Sequence, residues 1–328
     1  MRVLNREQVT RLLPMQACIP LMETALAALS RGDAQLPLRS VMPLPPRHDV
    51  LAVMPAQARA PAALGAKIIT VFPGNQQRGL DAHQGAVLVF DPEDGRLLGL
   101  LDASSITAIR TAAVSAVATG LLARPDASSL ALLGSHVQAW SHLEAMALVR
   151  PLARVRVWSR TPEHAADFVA RARRAYDLDV AACASAAEAV RGADIVCTVT
   201  ASRRPVLEGA WLEPGMHVNA VGASQPDARE LDSEAVARSR LFADRRESLV
   251  NESAAYLTAL REGRLAEDQA VPELGEVLEG TAEGRTSDDE ITLFKSLGLA
   301  IEDLLAARHV LRRAEEEGVG TVVALEGG

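Results

Sequence analysis

Residues 131–140, ALLGSHVQAW, decide how this chain is read. A small apolar run, Leu130 to Leu133, ends at Gly134 and passes into a helical pattern, the opening of a dinucleotide-binding strand-turn-helix. In such a turn the first glycine permits the tight bend. The second lets the backbone approach a diphosphate, and the third position lets the helix pack closely on its strand. Here those positions hold Gly134, His136 and Ala139, so two of three requirements are met. Two readings of His136 compete: its side chain turns outward or donates to a phosphate, or it blocks the close approach and weakens binding.

The surroundings strengthen the motif. It follows a strand, opens a helix whose N-terminus favours anions, and precedes a second strand that ends about 25 residues on. That strand closes with VWSRTPE (157–163). An NAD site usually has Asp or Glu there for the ribose hydroxyl, whereas Ser159, Arg160 and Thr161 offer a cation and two hydroxyls that suit a 2′-phosphate. NADP(H) is therefore the preferred cofactor, with NAD(H) the alternative. The competing reading makes Arg160 a solvated residue after a strand.

Strand and helix patterns alternate around this point. Strands are expected at 129–134, 154–160, 178–183, 194–200, 217–223 and 239–244, with helices at 137–149, 162–176, 185–192 and 231–238. Such alternation predicts an α/β fold with a doubly wound parallel sheet. The first 110 residues differ. AKIITVF (66–72) and GAVLVFD (85–91) read as strands, and DPEDG turns the second into RLLGLLD as a hairpin. Prolines 37, 43, 45, 46 and 55 mark a looped, extended approach. A helix follows from Ser104 to Leu122, and the segment 288–318 reads as one long helix whose end packs back on the first domain.

At 328 residues the chain is long enough for two cores. Its net charge of −8 and lack of a basic stripe disfavour nucleic acid and anionic membranes as partners. Cys18, Cys183 and Cys197 are few, odd in number and unclustered, which points to reduced thiols, no metal knuckle and a cytoplasmic location. The charged start MRVLNREQVTRLL lacks a signal-peptide core, and no stretch reaches the roughly 18 uninterrupted apolar residues of a membrane span.

GAKIITVFPGN, ITAIRTAAVSAVAT, LLGSHVQAWSHLEAM, VRVWSRT, VNAVGASQPDARELD and TLFKSLGLAIEDLLAA resemble, in order and over nearly the whole chain, blocks of the ornithine cyclodeaminase/mu-crystallin family. The resemblance implies a Rossmann-type domain at 113–299 and a discontinuous α+β domain, 1–112 with 300–328, that binds substrate and forms a homodimer. It also implies NAD(P) held between the two domains and an amino, imino or keto acid as substrate. Arg39 and Arg110 match the pair that grips the substrate carboxylate, a task suited to planar guanidinium forks. Lys67 matches the active-site lysine; desolvation at a buried strand would lower its pKa toward neutrality, while a lysine snorkelling from a strand end is the bland alternative.

The resemblance further adds Met54 and His83 on the substrate side, His83 either as a proton shuttle or as a strand-edge surface residue. Ser224 joins Lys67 as a catalytic candidate. The cofactor set comprises Thr111, Gly134, His136, Val137, Gln138, Ser159, Arg160, Thr161, Thr200 and Val221. Two departures refine the picture: where cyclodeaminases have acids, this chain has Ala52 and Ser224. Asp227, three residues past Ser224, reads as a local partner for turn or helix-terminal amides, and His142 as a packing residue.

Without a carboxylate to deprotonate an amine, the pattern is closest to the ketimine-reductase members of the family. It implies NADPH-dependent reduction of a cyclic imino acid, Δ1-pyrroline-2-carboxylate or Δ1-piperideine-2-carboxylate, to proline or pipecolate. Ornithine cyclodeamination, a linear amino-acid dehydrogenase and a non-catalytic ligand-binding protein are the alternatives.

Overall fold

The computed structural model describes residues 1–46, 49–224 and 227–325, the side chains of 76 and 77 excepted. The chain divides into two compact units, 1–110 with 299–328, and 111–298.

The first unit begins with β1 (Arg2–Leu4), α1 (Arg6–Leu12) and α2 (Met15–Ser30). Asn5 and Gln8 close a reciprocal cap on α1. A sheet is then built from β2 (Ala34–Gln35), β3 (Ser40–Leu44), β4 (Asp49–Arg59), β5 (Ala62–Val71), β6 (His83–Phe90) and β7 (Leu97–Asp102). Helix α3 (Ala103–Leu122) contains the boundary between the units. From the other end of the chain come α11 (Ala300–Glu316) and β15 (Thr321–Val322), numbered in chain order. The sheet order is β15-β1-β7-β6-β5-β4-β2, with β3 also on β4, and only β1–β7 pairs in parallel.

Alternation along the strands gives this sheet two faces. Ala52, Met54, Ala56 and Ala58 of β4 and Ala63, Gly65, Lys67 and Ile69 of β5 are buried. Helix α11 lies against this face so closely that a Cβ on Gly65 would stand 2.6 Å from Leu304 Cδ1. On the strands' other side Met42, Leu64 and Ile68 are exposed.

In the second unit seven parallel strands run in the order β10-β9-β8-β11-β12-β14-β13. They are β8 (Ser129–Leu133), β9 (Arg154–Trp158), β10 (Asp179–Ala182), β11 (Ile195–Thr198), β12 (His217–Ala220), β13 (Arg240–Ala243) and β14 (Thr292–Lys295). Helices α4 (Val137–Val149), α5 (Pro162–Ala175), α6 (Ala186–Val190), α7 (Ser233–Ala237), α8 (Arg246–Glu252), α9 (Ala254–Arg261) and α10 (Leu274–Leu278) connect them. β8, β11, β12 and β14 are buried at every residue, as strands covered on both faces must be. The strand order reverses between β8 and β11, the switch point where such sheets bind ligands beyond their carboxyl ends. The α/β class and the doubly wound parallel sheet agree with the sequence reading.

Three places differ in detail from the sequence reading. The long helix expected over 288–318 is two elements: Thr292–Lys295 is a strand lying between β12 and β13, and the helix starts only at Ala300. The buried segment 296–299, with Gly298 at φ +80°, separates the two, a break that helical periodicity overlooks. The proline-marked stretch is partly strand: Pro43 and Pro55 lie inside paired strands, whereas Pro37 is in the irregular segment before β3 and Pro45 and Pro46 are in the turn after it. Finally, α3 is long and apolar enough by averaged hydropathy to cross a membrane, although Ser, Thr and Arg110 interrupt its apolar run as the sequence reading has it, and 72% of its apolar window is buried in the fold.

Candidate functional site

Lys67 sits in the middle of β5, paired in register with Met54 on β4 and Val87 on β6, and is 2% exposed. Strand alternation turns it toward the face covered by α11, whose first turn carries Glu302 and Asp303. Lys67 Nζ lies 2.6 Å from Asp303 Oδ2. Arg110, buried in α3, donates from Nε to Asp303 Oδ1 at 2.9 Å and from Nη1 to Glu302 Oε2 at 2.7 Å. One carboxylate thus bridges the lysine and the arginine, while a second fixes the guanidinium.

Burial lowers the Lys67 pKa to about 8, and the positive charges of Arg110 and Arg39 push the same way; Asp303 opposes them. Burial would raise the Asp303 carboxyl, but Arg110 and Lys67 hold it below its ordinary value. Arg39, half-buried on the segment between β2 and β3, is therefore near enough to act on Lys67. His83 opens β6 and is an exposed residue. Its desolvated side and the charges of Lys67 and Arg110 lower its pKa, with Asp81 opposing. Thus Arg39, Met54, Lys67, His83 and Arg110 converge in the first unit. Cys18, buried beneath, has its thiol pushed up to about 12 by desolvation. That thiol stays protonated near neutral pH.

In the second unit Gly134 follows β8 with φ +129°, and a Cβ there would lie 2.7 Å from Val199 O. The position demands glycine on both counts. His136 is the N-cap residue of α4 in extended backbone, makes no capping hydrogen bond, and is exposed. Its ring lies edge-on to His164 of α5, with centroids 5.2 Å apart. Burial, then the charge of His164, lowers its pKa. Helix α4 starts without a side-chain cap, so its N-terminal end offers the positive pole that favours an anion. The buried Thr111 hydroxyl likewise has no hydrogen-bond partner among the described residues. An uncapped helix start beside an obligatory glycine fits a diphosphate. Ser135 Oγ donates to Ser159 Oγ at 3.1 Å, Arg160 is exposed, and Thr161 is the N-cap residue of α5 without a capping bond, so hydroxyls and a cation gather at the end of β9.

The other candidates are placed as follows. Val221 is buried after β12, and Ser224 is half-buried three residues on; both belong to the second unit. The Thr200 hydroxyl donates to Glu230 Oε1 at 2.7 Å. Asp227 pairs with Arg203, and Asp232 is the residue that caps α7, so of the roles expected of Asp227 the helix-capping one is corrected. The turn at Pro226 lies outside the described residues. His142 is fully buried between Ser115 Oγ, at 2.9 Å, and Gln138 O, at 2.7 Å, in keeping with packing.

Sequence reasoning missed Glu302 and Asp303. The available signal was two adjacent acids within the apolar turn LAIEDLL. Adjacent acids in a helix normally imply a solvated face, and these two are buried only because partners about two hundred residues away in sequence meet them.

The chain matches the model of the ornithine cyclodeaminase/mu-crystallin family over residues 1–318. It is 43% identical to the ketimine reductase mu-crystallin of Mus musculus over 295 residues, covering 89% of this chain and 90% of that protein. Among solved structures, Δ1-pyrroline-2-carboxylate reductase of Thermococcus litoralis, in complex with NADH and L-proline, superposes with a TM-score of 0.96. It shares 36% identity, with 98% of this chain and 100% of that chain covered. An archaeal alanine dehydrogenase dimer with bound NAD gives a TM-score of 0.93 at 30% identity, with 99% of each chain covered. By its full-length motif order, its glycine turn and these matches, the chain belongs to the ornithine cyclodeaminase/mu-crystallin family.

Proposed function

We propose that this chain is an NADPH-dependent oxidoreductase that reduces the carbon-nitrogen double bond of a cyclic imino acid, Δ1-pyrroline-2-carboxylate or Δ1-piperideine-2-carboxylate, to proline or pipecolate. The observation that carries the reading is the bridge at Asp303, which holds the proton-bearing Lys67 and the carboxylate-binding Arg110 beside each other on one buried face. The two relatives that reduce imines, one of them solved with NADH and L-proline, support the same class of reaction.

Arg39 and Arg110 hold the acid's carboxylate, Arg110 with its fork already oriented by Glu302 and Asp303. When bound, the reduced nicotinamide supplies the hydride that C2 of the imine accepts. Lys67, at a pKa of about 8, keeps the ring nitrogen protonated and is recharged from solvent, so one hydride and one proton convert imine to amine. Met54 lines the acid, His83 serves as the solvent-side shuttle, and Ser224 assists at the nitrogen.

The dinucleotide belongs to the second unit. Gly134, Val137 and Gln138 take its diphosphate, Thr111, Thr200 and Val221 its remaining contacts, and Ser159, Arg160 and Thr161 a 2′-phosphate, with His136 turned to His164. The exposed apolar residues Met42, Leu64 and Ile68 on one face of the sheet support a homodimer formed by the first unit. The three unpaired cysteines agree with a cytoplasmic setting.

Purified protein given NADPH and either cyclic imine should consume reduced nicotinamide. If neither imine is reduced by a protein that binds NADPH, or if ornithine with NAD⁺ yields proline and ammonia, this reading is wrong.

A further inference from the structure

Glu230 takes no part in the chemistry proposed above, yet it is 2% exposed and its carboxylate accepts four hydrogen bonds. Oε1 receives Thr200 N at 2.6 Å and Thr200 Oγ1 at 2.7 Å. Oε2 receives Thr198 Oγ1 at 2.8 Å and Gly222 N at 2.7 Å. Three of these donors belong to the end of β11 and the loop that follows it; the fourth belongs to the loop after β12. The backbone oxygen of Glu230 also accepts from Val206 N and Leu207 N, at 2.7 and 2.9 Å, tying down the return of the β11 loop.

The two loops interlock around this carboxylate. A Cβ on Gly222 would come within 2.1 Å of Thr200 O and 2.6 Å of Glu230 Oε1, so no other residue fits. At the end of β14, Lys295 Nζ donates to Ala220 O at 3.0 Å and to Ser296 O at 2.9 Å. Its charge acts on both Glu230 and the buried Asp244, whose Oδ2 takes the amides of Leu297 and Gly298. Burial raises the Glu230 pKa, and the hydrogen bonds of Thr200 and Thr198 with the charge of Lys295 draw it back.

A fully buried carboxylate saturated by four donors is costly to maintain for packing alone. Its location supplies the function. β11 and β12 lie beyond the strand reversal at β8, and in a doubly wound sheet the half past that reversal binds the second mononucleotide. We propose that Glu230 is a positioning residue for the nicotinamide half of the dinucleotide site, preforming the loops that carry Thr200 and Val221. The proposal rests on the dinucleotide reading above but not on the identity of the imine.

Calorimetric titration of the full chain with NADPH and with 2′,5′-ADP, which lacks the nicotinamide half, tests it. In Glu230→Gln an amide NH₂ faces backbone N–H donors that cannot turn away. This variant should raise the NADPH Kd about tenfold while leaving the 2′,5′-ADP Kd within about twofold. Thr198→Val removes one donor without changing charge and should weaken NADPH selectively by about threefold, so it decides the matter if Glu230→Gln does not fold. Equal losses for both ligands, or an unchanged NADPH Kd, would overturn the positioning role. A wild-type protein that binds none of NADPH, NADH and 2′,5′-ADP would instead overturn the dinucleotide reading itself, and this inference with it.

Discussion

Replacing Asp303 by Asn removes one charge while keeping the side chain's volume, and it tests how Lys67 is tuned. With Asp303 ionised at 2.6 Å, Lys67 has a pKa of about 8, because burial and the neighbouring cations Arg110 and Arg39 outweigh that single carboxylate. Take away the opposing charge and only lowering influences remain. An opposite charge at such range is worth roughly 1–3 pKa units, or about 1.4–4 kcal/mol between the protonation states. If Lys67 must be protonated for imine reduction, wild-type kcat/KM falls as pH rises through about 8. In Asp303→Asn the same fall should occur about 1–3 units lower. The measurement is the pH profile of kcat/KM for the imine at saturating NADPH. His83, also lowered and also close to Lys67, is controlled for by His83→Gln, which should leave the limb near its wild-type position. An alkaline limb that stays put in Asp303→Asn, or moves upward, would refute the reasoning.

Other outcomes follow from the same geometry. Arg110→Met strands Glu302 and Asp303 without their guanidinium, so denaturant titration should show a loss of about 3–5 kcal/mol, partly recovered in Arg110→Met/Glu302→Gln. In whatever fraction stays folded, the KM for the imine should rise more than kcat falls; an unchanged KM would remove Arg110 from the carboxylate. Arg160→Ala should lower the ratio of NADPH to NADH efficiency by about 10- to 100-fold through loss of a charge-assisted contact, and an unchanged ratio would contradict the proposed 2′-phosphate site. Gly134→Ala must adopt a positive φ with its Cβ 2.7 Å from Val199 O, so dinucleotide binding measured by nicotinamide fluorescence should be lost; near-normal binding would show that the turn is not the diphosphate site.

Much of this was legible in the sequence because the physics is local. The strand SLALL needs to be apolar throughout to lie between neighbours in a parallel sheet, and Gly134 marks its end for a steric reason that one residue type satisfies. Helix α4 runs over the residues its pattern indicates. β14 was hidden because four buried residues before a glycine can be absorbed into the period of the following helix. α2 was hidden because Pro20 lies inside it, and a proline within a helical pattern reads as a break. The acid pair of α11 was illegible for a different reason. Whether an Asp is solvated or bridges a lysine and an arginine is decided by the tertiary arrangement of β5, α3 and α11, and no local window contains all three. Glu230 posed the same problem, since its four donors come from two separate loops.

The most direct test follows the hydride. The enzyme is incubated with Δ1-pyrroline-2-carboxylate and NADPH carrying deuterium at C4, each face labelled in turn, and the amino acid formed is examined by mass spectrometry. One face should deliver a single deuterium to C2 of proline and the other none. Proline free of deuterium from both labelled cofactors would contradict the account at its centre.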